Sequence, residues 1–90
     1  MDNQQTLKVI LDYLNEVKTR TTYGVVAQLL GVHPMSLGKL LGEKRPEASW
    51  VVNASTKDPT DYSDEEKHPE LYRTERMITS ADVIRRNLKL

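Results

Sequence analysis

A mainly α single domain with a small β hairpin is the fold class that this sequence predicts. Three observations carry that prediction. Apolar residues recur at helical spacing near the start of the chain, a second and third apolar stretch flank a lone glycine at Gly31, and a β-prone run, SWVVNA, is followed by turn-forming residues. With 90 residues the chain accommodates one core, so residues 1–90 are read as one domain.

Leu7, Ile10, Leu11, Leu14 and Val17 lie on one face of a helix over residues 4–18, while Lys8, Asp12, Asn15 and Glu16 fall largely off it. Residues 19–22 are polar and β-branched, and Thr21 or Thr22 supplies the cap of a second helix whose apolar positions are Val25, Val26, Leu29 and Leu30. Gly31 ends it. The short segment to Pro34 permits only a tight turn, and proline suits the first turn of a helix, where its missing N–H is not needed. A third helix therefore spans 34–41, with Gly42 as its stop and the charged Glu43, Lys44 and Arg45 before Pro46 as a linker.

Ser49 to Ala54 reads as a strand entering a hairpin-like loop through Ser55, Thr56, Lys57, Asp58 and Pro59. Residues 58–70 hold six acids against the single base Lys67, the signature of a solvated segment, with Ser63 and Glu66 placed for a capping-box turn. Pro69 opens a short helix to about residue 76 with Leu71 and Tyr72 as core contacts, and residues 77–79 pair as a second strand. Ser80 caps a final helix containing Val83, Ile84 and Leu88.

Composition narrows the chemistry. The chain has no cysteine, which removes disulfides, thiolate metal sites and thiol nucleophiles together. No apolar run reaches the length of a signal-peptide core or a membrane span, so the expected address is cytoplasmic, with no membrane contact. Thirteen basic and thirteen acidic side chains leave no net charge, unlike a protein that coats nucleic acid indiscriminately. The distribution is uneven: residues 1–57 carry seven basic against five acidic groups, and residues 58–90 six against eight.

Where two helices meet at a sharp turn, a small residue is needed at the crossing, a glycine where the backbone turns left-handed, and apolar residues where the second helix returns to the core. Ala27, Gly31, Leu37 and Leu40 meet these demands at the spacing of a helix-turn-helix over residues 21–42, although two core helices joined by an ordinary turn would show the same pattern. In the former reading the third helix presents Met35, Ser36, Gly38 and Lys39 outward. Ser36 donates to a phosphate or base edge and Lys39 reaches a phosphate. Gly38 permits either close approach of a DNA backbone or close helix packing. Lys44 and Arg45 add phosphate-contacting charge, and the whole becomes a winged helix-turn-helix-like domain that binds double-stranded DNA.

The strings TTYGVVAQLLG, SLGKLLG and SWVVNA resemble the DNA-binding domain of O6-alkylguanine-DNA alkyltransferases and, more closely, the cysteine-free alkyltransferase-like proteins. Those proteins show a TYG-like helix start, an A-x-L-x-G helix end, an R-A-V-G recognition helix and a P-C-H-R-V-V segment. The resemblance covers residues 20–54 and implies a winged helix-turn-helix that recognises alkylated or flipped guanine. Tyr23 then matches the tyrosine that helps rotate a nucleotide out of the duplex, and Gly38 the glycine of R-A-V-G. Met35 stands where that family places the arginine that fills the vacated stack, and Ser49 with Trp50 stands near its His-Arg pair. An apolar side chain can also wedge between base steps.

The remaining chemistry-bearing residues point elsewhere. His33 and His68 each lie in a turn beside proline without the spacing of metal ligands, so no metal or other cofactor is expected. Asp64, Glu65 and Glu66 read as solvated carboxylates, and no catalytic residue is assigned, which makes the expected protein non-enzymatic. Trp50 is either a core anchor or a base-stacking residue beside Lys44 and Arg45. The acidic segment offers the alternative function, a protein-interaction or regulatory module of the same fold that engages a protein partner.

Overall fold

The computed structural model describes residues 2–90 as four helices and a three-stranded sheet in the order α1 (Asn3–Val17), β1 (Arg20–Thr22), α2 (Tyr23–Leu30), α3 (Pro34–Leu41), β2 (Val51–Val52), β3 (Met77–Ile78) and α4 (Ala81–Leu88), with single 3-10 turns at Pro46–Ala48 and Asp64–Glu66. Among these residues no helix is long and apolar enough to cross a membrane.

Local capping explains where the helices begin and end. Asp2 accepts the amide of Gln5 at 2.8 Å while the Gln5 side chain reaches back to the Asp2 amide, so α1 starts at Asn3, one residue before the expected start. Thr22 Oγ1 accepts the Val25 amide and Ser80 Oγ the Asp82 amide, as expected of cap residues. Gly31 ends α2 at φ 69°, ψ 32°, with its amide directed back to Ala27 and Gln28. The Val32 amide bonds to the Ala27 carbonyl at 3.0 Å, and α3 starts three residues after the glycine.

The core forms where the apolar faces meet. Leu7, Ile10, Leu11 and Leu14 of α1, Val25, Val26, Ala27 and Leu30 of α2, and Leu37 and Leu41 of α3 are all buried, together with Trp50, Val51, Leu71, Ala81 and Ile84. Val17, expected on the buried face, is 40 % exposed because it closes the last turn of α1 beyond the packed helices.

The β hairpin is overturned. β1 is the central strand, in the order β2-β1-β3, and both of its neighbours run parallel to it, Thr21 opposite Val51 on one side and opposite Ile78 on the other. Both residues of β2 are buried, and a strand covered on both faces suits parallel pairing reached by a helical crossover, which α2 and α3 provide. The turn chemistry after β2 is present but closes on itself. Asn53 donates its amide to the Asp58 carbonyl and accepts that of Lys57, and no returning strand follows. Buried Thr21 fits this central place because its hydroxyl donates to the Ile78 carbonyl at 2.8 Å. The helix expected over 69–76 is also absent: there the chain makes separate turns, with the Leu71 amide on the His68 carbonyl and the Arg73 amide on the Glu70 carbonyl. Leu71 still enters the core, but Tyr72 lies 54 % exposed.

Candidate functional site

A cleft of about 620 Å³ opens between the start of α2, one flank of α3 and the loop that follows β2. Its volume falls within the range of small-ligand sites, roughly 300–1,000 Å³. Tyr23, Met35, Gly38 and Lys44 all line it, so four of the eight residues singled out from the sequence converge on one place.

Each is positioned by the chain around it. Tyr23 opens α2 directly after β1, and its half-buried ring sends the hydroxyl toward the loop, where it accepts the Thr60 amide at 3.2 Å. Met35 sits in the first turn of α3 and is 86 % exposed, the most exposed of the large apolar side chains described. Its amide is held by His33 Nδ1 at 3.1 Å, so the histidine acts as the helix cap. At Gly38 an added Cβ would meet no heavy atom within 4 Å, which excludes close helix packing as the reason for that glycine. Lys44 follows the α3 stop on the cleft rim. Its charge adds to the bonds from Ser63 that hold the Glu66 carboxyl below the ordinary carboxylate range.

The other four residues lie elsewhere. Ser36 is exposed on α3 away from the cleft lining. Lys39 faces a second, more polar groove of about 420 Å³ between α1 and α3, which it shares with Lys8 and Arg45. Arg45 is committed to structure, since its Nη1 donates to the carbonyls of Leu41 at 2.7 Å and Glu43 at 2.8 Å. Trp50 as a DNA-contacting residue is corrected: it is 0 % exposed in the core, its indole N–H donates to Asn15 Oδ1 at 2.9 Å, and the His68 ring packs on it at 4.8 Å. A fully buried indole cannot stack on a base.

Sequence reasoning missed the far wall, made of Asn53, Thr60, Asp61 and Tyr62. Three of them come from the stretch read only as solvated acid. The aromatic Tyr62 within that stretch was the available signal. Burial pushes the Tyr62 hydroxyl above its ordinary pKa, against the opposing pull of the Arg45 backbone. The cleft thus combines two phenols, a thioether, an ammonium and a carboxylate over a helix flank bare of side chain at Gly38. Such a set can hold a flat, partly polar ring on its faces and its edge. Among the described residues no group of three metal-ligating side chains comes together. No family model, curated protein or solved structure matches the chain.

Proposed function

We propose that this chain is a non-enzymatic DNA-binding protein that applies α2, the turn at Gly31 and α3 to duplex DNA as a helix-turn-helix and takes a flipped guanine base into the cleft beside α3. The observation that carries this reading is the convergence of Tyr23, Met35, Gly38 and Lys44 on one cleft. Met35 stands out from the first turn of α3, where an apolar wedge can enter the base stack. Gly38 leaves the helix flank open to a sugar-phosphate backbone, and Lys44 at the rim neutralises a phosphate. The loop over residues 53–62 takes the place of a wing. The resemblance of residues 20–54 to the alkyltransferase-like proteins supports the same assignment, with Tyr23 pressing on the rotated nucleotide.

Duplex binding measured across a salt series tests the proposal. Affinity should fall steeply as salt rises, and Lys44→Ala should weaken binding on all sequences and reduce the log–log slope by about one, as expected for a lost phosphate contact. Absence of salt-dependent duplex binding overturns the proposal and turns attention to the acidic 58–70 segment as a surface for a basic protein.

A further inference from the structure

Outside the residues that line the cleft, one buried cation ties two distant segments together. Arg20, at the start of β1, is only 5 % exposed; its Nη1 donates to the Lys57 carbonyl and its Nη2 to the Thr74 carbonyl, each at 2.9 Å. The guanidinium lies 5.3 Å from the centre of the Tyr72 ring, and Lys67 Nζ is a second cation at 5.5 Å from the same centre. Among the described residues no carboxylate pairs with Arg20, and its buried Nε has no hydrogen-bond partner. A cation buried in this way gains little stability against its desolvation cost. Its effect is placement: residue 57 is brought beside residue 74, and there the Tyr72 hydroxyl donates to Asp58 Oδ1.

The consequence lies two residues further along the chain. Pro59 is buried, and a proline fixes its own φ while restricting the residue before it, so a shift of Asp58 carries Thr60 with it. Thr60, Asp61 and Tyr62 belong to the far wall of the cleft. Tyr23, three positions after Arg20, accepts the Thr60 amide at 3.2 Å. The segment 57–60 is therefore gripped at both ends from the junction of β1 with α2, and Tyr72 holds it in between. We infer that Tyr72 is a positioning residue for the cleft: without lining it, Tyr72 sets through Asp58 the separation of the far wall from α3 at which a base fits. The inference rests on the reading that a base enters the cleft.

The experiment uses the whole chain. Tyr72→Phe keeps the ring over Arg20 and deletes only the bond to Asp58. Amide hydrogen exchange should quicken by about three- to tenfold at Asn53, Lys57 and Thr60, whose amides bond within this loop or onto Tyr23, and stay unchanged at the buried amides of α1 and α2. On a mismatched duplex carrying 2-aminopurine, the fluorescence rise from a rotated base should shrink with the same substitution. Asp58→Ala should reproduce both effects, whereas Asp58→Asn, which keeps an acceptor oxygen, should restore most of the protection. Unchanged exchange in the loop overturns the inference, and so does an increase that is equal in the loop and the helices, the mark of a general loss of stability. A fluorescence rise that survives Tyr72→Phe while the loop loosens overturns the role of Tyr72 toward a base. Exchange that responds in the loop, with no fluorescence rise from the wild type, keeps Tyr72 as the residue that places the wall and overturns the entry of a base.

Discussion

The phenolic oxygen of Tyr23 accepts the amide of Thr60 at 3.2 Å, joining the first residue of α2 to a loop 37 positions later in the chain. One wall of the cleft therefore hangs on the same side chain that lines its floor. Tyr23→Phe keeps the ring and removes this bond. Because the bond is open to solvent, the loss should be about 0.5–1 kcal/mol, the lower part of the range for a neutral hydrogen bond. In urea melts the midpoint should fall slightly at constant m, and limited proteolysis within residues 53–62 should accelerate. An unchanged cleavage rate would mean that the loop is held by other contacts.

At Gly31 the backbone conformation, not space, dictates the residue. Its φ is 69°, yet an added Cβ would meet no heavy atom within 4 Å. Gly31→Val should cost roughly 1–3 kcal/mol through strain alone. Gly31→Asn should be clearly milder, since asparagine tolerates the left-handed region. Thermal melts of both variants separate the explanations: equal losses would point to a packing clash, and no loss in either would remove the turn as the feature that sets α3 against α2.

How much of this was legible from the sequence depends on how local each feature is. The limits of α2 and α3 follow from Thr22, Gly31, Pro34 and Gly42, each acting within a few residues of itself, and the buried face of α1 follows from spacing. The sheet follows from no such rule. Arg20 to Thr22 looks like a polar link because its β character comes from partners 30 and 57 positions away, with Thr21 opposite both Val51 and Ile78. Parallel pairing leaves no turn signature, so β2 suggested a hairpin. Arg20 illustrates the same blindness: it is only 5 % exposed, donates to the carbonyls of Lys57 and Thr74 at 2.9 Å each, and packs its guanidinium against the Tyr72 ring, none of which neighbouring residues announce. In the cleft, the α2 and α3 side was readable, while Asp61 and Tyr62 arrive through a loop whose composition signals only solvent.

Two surface carboxylates and one phenol contribute to the pH dependence of stability. The Glu70 carboxyl is held below its ordinary value of 4.5 by the hydrogen bond from Lys18, whose Nζ lies 3.1 Å away, and Glu66 is held low by the Ser63 backbone. A carboxyl lowered in the folded state contributes stability above its unfolded pKa and loses it as pH falls through the folded one. Tyr62 is raised from 10.0 by burial, so its contribution is complete below that pH and disappears as pH rises through the folded pKa. The melting temperature should therefore be level across neutral pH, fall below about pH 4.5, and fall again above about pH 10. Glu70→Gln should flatten the acid limb, and Tyr62→Phe the alkaline one. A limb that keeps its full steepness in the corresponding variant would assign it to other groups.

Met35 offers the cleanest separation between folding and nucleotide handling. With 86 % of its surface exposed, its side chain contributes little to the core, and Met35→Ala should change stability by no more than about 0.5 kcal/mol. Any effect on DNA is then an effect at the interface. If Met35 enters the stack when a base rotates toward the cleft, it offsets part of an unstacking cost of a few kcal/mol. A duplex carrying 2-aminopurine at the target position reports that event directly, because the base fluoresces more strongly once unstacked. The wild type should raise the signal on a mismatched duplex, and Met35→Ala should reduce the rise and weaken binding to that duplex more than to a fully paired one. Tyr23→Ala should reduce the rise as well, but with a fall in melting temperature, since it also releases Thr60. No rise with the wild type, together with equal binding to mismatched and paired duplexes, would leave α3 as a DNA-contacting helix and remove base rotation from the mechanism.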